Sequence, residues 1–66
     1  MGYNYGDKCY AILQWADNEA PNFNIGFVSD MNHEIKVYGE HNLTINQCRA
    51  IDNIIDNCKI EVAQWL

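Results

Sequence analysis

Sixty-six residues with nine Asp+Glu against four Lys+Arg give a formal net charge of −5. A chain this short has room for one domain, residues 1–66, and none for a barrel enzyme or a dinucleotide-binding fold. Apolar residues at 48% and charged residues at 20% are the proportions of a folding chain, and the acidic balance argues against direct nucleic-acid binding or membrane attachment through a basic patch.

The opening Met1-Gly2-Tyr3-Asn4-Tyr5-Gly6 has neither the positive start nor the apolar run of a signal peptide. Gly6 stands where a myristoylation motif carries Ser or Thr. No apolar run approaches the roughly 18 residues of a membrane span. Cysteine is present three times, at Cys9, Cys48 and Cys58, whereas a secreted mini-protein pairs an even number. The expectation is a cytoplasmic protein with reduced thiols.

Three strand patterns come first. Cys9, Ala11, Leu13 and Trp15 alternate with their neighbours over residues 8–16. Phe23, Ile25 and Phe27 do so over residues 23–28, and Ile35 and Val37 over residues 34–38. Period-two alternation of β-branched and aromatic residues predicts half-buried strands. Asp17–Asn22 and Ser29–His33 are rich in turn formers, so the strands connect as a three-stranded antiparallel β-meander. Folding each loop about its middle pairs Trp15 with Phe23, Leu13 with Ile25, Ala11 with Phe27, Phe27 with Ile35 and Ile25 with Val37, all apolar.

After Gly39 a helix is predicted. Thr44 with Gln47 three residues later reads as a capping box, and Leu43 with Cys48 as a hydrophobic staple. Cys48, Ile51, Ile55, Cys58, Val62 and Trp65 then form one apolar stripe, extending the helix from Ile45 to about Gln64. An alternative stops it near Asn57 and makes residues 59–65 a short fourth strand. The fold class expected is therefore α+β, a meander packed on one C-terminal helix.

Chemistry-bearing groups are sparse. Cys9, Cys48, Cys58, His33 and His41 lack the close ligand pairs of a structural zinc site, and the thiols fall on apolar stripes, so neither a metal nor another cofactor is expected. A cysteine nucleophile needs a thiolate, a base and an orienting group, which this pattern does not supply. Asp52 and Asp56 lie between Arg49 and Lys59 at helical spacing, as on a solvated face. No enzyme is expected.

One helix covers one sheet face, so the meander leaves Tyr10, Ile12, Val28 and Tyr38 around Gly26 on the other, with Asp30 and Glu34 at its rim. Aromatic and aliphatic residues on an open face are the composition of an interface core. These seven residues are the predicted partner-binding site. The function expected is a small acidic protein that binds and blocks another macromolecule, a protein or nucleoprotein complex with a basic surface. Its size and charge are those of phage and mobile-element inhibitors of host defence or transcription, an analogy and not a likeness of sequence. The alternative is a small-ligand-binding or sequestering protein that works as a homo-oligomer, and a core this small also favours a homodimer.

Overall fold

The computed structural model describes residues 4–60. They form three helices, α1 (Tyr5–Glu19), α2 (Gly26–Tyr38) and α3 (Ile45–Cys58), with a 3-10 turn at Glu40–Asn42 before the last. No strand forms among the described residues, and the β-meander is thereby overturned.

Local chemistry accounts for each helix. Asn4 caps α1, its side chain accepting from the Asp7 N–H at 2.8 Å. Within α1 only Ile12 is β-branched, while Ala, Leu, Gln and Lys are good helix formers. The helix stops before Pro21, which has no N–H to continue it. Ahead of α2, the Asn24 side chain accepts from the Gly26 N–H at 3.0 Å, a local turn that satisfies one of the free amides at the helix start. Beyond α2, Gly39 adopts φ 92°, where a Cβ would sit 2.9 Å from the His41 ring. That close approach, with the positive φ, lets the chain break away from α2 into the 3-10 turn.

The capping box of α3 is present as read from the sequence. The Gln47 N–H donates to Thr44 Oγ1 at 3.1 Å, and the Thr44 N–H donates to Gln47 Oε1 at 2.9 Å. The far end differs from expectation. Lys59 turns left-handed at φ 54° and ψ 45°. Its N–H reaches the Asp56 carbonyl, and the Ile60 N–H reaches the Ile55 carbonyl at 3.0 Å. These two bonds make a Schellman motif, which swings Ile60 back into the core. The helix therefore ends at Cys58. Residues 61–65 of its predicted extension, and of the fourth-strand alternative, lie outside the described residues.

The core is a single apolar cluster drawn from all three α-helices and the residue after them: Cys9 and Ile12 of α1, Val28 and Met31 of α2, Ile51 of α3, and Ile60. The Gly6 backbone comes close to the Ile35 side chain. The start of α1 thus lies beside the end of α2, and the pair forms an antiparallel hairpin, closed at its loop end by the edge-on packing of Trp15 and Phe23 (ring centroids 5.2 Å apart). On α3, Ile51 is buried and Cys48, Ile55 and Cys58 are half-buried, so the predicted stripe does face the core. It packs against helices and not a sheet.

The meander fails for a physical reason. Residues 9–13 are apolar almost without interruption, so periods of two and of 3.6 fit them equally well. The buried positions Cys9, Ile12 and Ala16 follow the helical period. Phe27 and Val37, assigned to the inner sheet face, are 38% and 53% exposed, while Ile12 and Val28, assigned to the outer face, are wholly buried. The inside-out reversal is what a wrong period produces.

Candidate functional site

An open groove of about 490 Å³ runs along α1 and is flanked by the end of α3. Tyr10, Ala11, Gln14 and Asn18 lie along its length, Trp15 adds an indole edge, and Cys58, Lys59 and Ile60 form the flank. Asp7 and Glu19 also line it, separated by twelve residues or about 18 Å along the helix axis. Tyr10 is 61% exposed, so its phenol offers an aromatic face left open by the described residues. Two carboxylates face one cation, Lys59, among the described lining residues.

A second polar constellation fastens α1 to α3 and the 3-10 turn. Tyr5 Oη donates to Asp52 Oδ2 at 2.9 Å, and Lys8 Nζ donates to Asp52 Oδ1 at 2.6 Å. The Lys8 ammonium also sits 4.6 Å from the centre of the Tyr5 ring, within cation–π range. The Tyr5 N–H donates to the Glu40 carboxylate, satisfying another amide at the helix start. The charge-assisted bond from Lys8, helped by the Tyr5 hydroxyl, holds the Asp52 carboxyl below its ordinary pKa against a smaller opposing effect of burial. Donating to Asp52, and being partly desolvated, pushes the Tyr5 phenol up to about 12. Burial, with a smaller push from the Glu40 charge, raises the Cys9 thiol to about 11 and keeps it protonated. Every member of this cluster is occupied by another, so its role is to hold helices together.

The predicted binding residues are dispersed. Ile12 and Val28 lie in the core, which removes them from any contact face. Tyr10 stays exposed on α1, within the groove. Gly26 is the first residue of α2, and Asp30, Glu34 and Tyr38 follow at four-residue spacing farther along that helix. Glu34 accepts from the Asn42 side chain at 2.9 Å, Asp30 is exposed, and Tyr38 is 59% exposed. The structure therefore replaces one predicted face with Tyr10 on α1 and an Asp30–Glu34–Tyr38 row on α2.

No family model, curated protein or solved structure matches this chain. Its function must be argued from its own surface.

Among the described residues no group of three or more His, Cys, Asp or Glu side chains is placed to hold a metal ion, and no helix is long and apolar enough to cross a membrane. Of the groove lining only Tyr10 was predicted, and the polar α1 residues that sequence reading missed are Asp7, Gln14, Asn18 and Glu19. Their signal was a polar stripe at helical spacing, Asp7, Gln14 and Asn18, opposite Cys9, Ile12 and Ala16.

Proposed function

We propose that this chain is a small acidic binding protein that engages a basic surface of another macromolecule and blocks it. The observation that carries the reading is the groove on α1, where Tyr10, 61% exposed and without a partner among the described residues, stands between carboxylates at Asp7 and Glu19. An aromatic anchor with opposite charge at its margins combines area for affinity with long-range attraction for encounter. The net charge of −5 adds a favourable field toward cationic partners. Nothing in this reading requires a catalytic group or a cofactor.

The test is retention of partners from an extract of the native cell on immobilised wild-type chain, a Tyr10→Ala chain, and a chain carrying Asp7→Asn with Glu19→Gln. A macromolecule held by the wild type, lost with Tyr10→Ala and released by salt supports the reading. Equal retention by all three chains refutes it. A second reading, a small-ligand-binding or sequestering protein, draws on the groove volume of about 490 Å³, which falls within the range of small-molecule sites. Its mark is a co-purifying compound that raises thermal stability.

A further inference from the structure

We infer that the α1 groove takes a short extended segment of a partner protein, with an apolar side chain set against Tyr10 and a Lys or Arg at each end meeting Asp7 and Glu19. The inference rests on the proposed binding function and specifies the occupant of that site. Three observations point to it.

The first is charge. The described lining carries Asp7 and Glu19 against Lys59 alone, and none of these three is in an ion pair with a described residue. The Lys8–Asp52 pair is the described bridge, and it lies outside the groove lining. Neither groove carboxylate is thus committed to a cation among the described residues. The second is the arrangement. The carboxylates stand at the two ends, about 18 Å apart along the helix axis, with the exposed Tyr10 ring and the Ala11 side chain between them. An extended chain advances about 3.3 Å per residue, so cationic residues five or six apart span that distance. The third is the supply of hydrogen bonds. Gln14 and Asn18, both exposed on the same helix side, offer amide donors and acceptors that a peptide backbone can use. A guanidinium can also lie over the Tyr10 ring, which favours Arg over Lys at the end beside Asp7.

Two synthetic peptides of one composition test this against the full chain by amide-detected NMR titration. In one, Arg occupies the first and last positions of a seven-residue segment with Leu at its centre. In the other, the two Arg are adjacent. The expected result is about tenfold tighter binding of the spaced peptide, weakening with salt, with shifts concentrated at Tyr10, Gln14 and Asn18. Tyr10→Ala and Asp7→Asn should each erase the preference between the peptides, and the fold should persist because Tyr10 is exposed and the Asp7 change keeps the side chain's shape. Equal affinity for the two peptides, or shifts centred on Asp30 and Tyr38, would overturn the inference while leaving the broader acidic-binder reading to its own test. Shifts of groove signals with protein concentration alone would assign the groove to a second copy of the chain. Contacts from Trp65 to Tyr10 that no peptide displaces would assign it to the chain's own last residues. Either result also overturns the proposal.

Discussion

Ile12 separates the helical fold from the sheet more sharply than any other residue. On an outer sheet face it would be a solvent-exposed side chain whose truncation costs little. In the helical structure it is wholly buried in the common core of α1, α2 and α3. Ile12→Ala removes three carbons, worth about 2.4 kcal/mol of transfer free energy, and a cavity term brings the cost into a range of about 2–5 kcal/mol. A chain of 66 residues is expected to hold only about 3–10 kcal/mol in total. The loss therefore consumes a large part of the stability. Ile45→Ala is the control, the same chemical change at a side chain 73% exposed in the first turn of α3. It should shift stability by no more than about 0.5 kcal/mol. Urea unfolding followed by far-ultraviolet circular dichroism reads both. With a slope of about 1 kcal/mol per molar, Ile12→Ala should lower the midpoint by 2 M or more, or leave the chain unfolded, while Ile45→Ala leaves it in place. Equal midpoints for the two variants would refute the assigned core.

Four other expectations follow from the contacts described. Asp52→Asn should cost about 0.5–1 kcal/mol, modest because the side chain is 43% exposed. The lowered Asp52 pKa means that this contribution is complete above the ordinary value near 3.9 and disappears as pH falls through the native one, so wild-type and variant stabilities should converge in acid. At the other extreme, Tyr5 is raised to about 12. The folded state therefore keeps a proton that the unfolded chain releases, and stability should drop more steeply between pH 10 and 12 in the wild type than in Tyr5→Phe, where the raised Cys9 thiol still contributes up to about pH 11. Thiol alkylation followed by mass spectrometry should modify half-buried Cys48 and Cys58 ahead of Cys9, which is fully buried and protonated; prompt labelling of Cys9 would contradict the packing. Finally, Lys59→Gly should raise stability by up to about 1 kcal/mol, because Gly enters the left-handed region without the penalty that Lys carries at φ 54°. A clear loss of stability there, seen as a lower thermal midpoint, would speak against the left-handed ending of α3.

What could be read from residues alone divides along a physical line. The start of α3 was legible because its signal is local: Thr44 and Gln47 satisfy each other's backbone amides, whatever the rest of the chain does. The nature of α1 and α2 was not, because short runs crowded with apolar residues satisfy both periods. The tie could have been broken by Asn4 three residues before Asp7 as a cap, by Pro21 as a stop, and by the scarcity of β-branched residues between them. The end of α3 was illegible for another reason. Lys59 is a poor predictor of a left-handed turn, and it is the burial of Ile60 that makes the turn worthwhile. Of the predicted binding residues, Tyr10 retained an open face because it is exposed under either period, whereas Ile12 and Val28 exchanged outside for inside with the change of period.

The Asp52 clamp also carries a kinetic consequence. Its partners Lys8 and Tyr5 are 44 and 47 residues away along the chain, so forming it closes nearly the longest loop the described residues allow. The logarithmic part of that closure entropy is roughly 3 kcal/mol, whereas the α1–α2 hairpin turns over a connection of a few residues. The hairpin can therefore assemble first, and α3 gains its clamp only once the two ends of the chain are already held together. Interactions made after the rate-limiting step govern the rate of escape and not the rate of arrival. Asp52→Asn should accordingly hasten unfolding by about two- to fivefold while leaving refolding nearly unchanged, so that the clamp lengthens the lifetime of the folded chain.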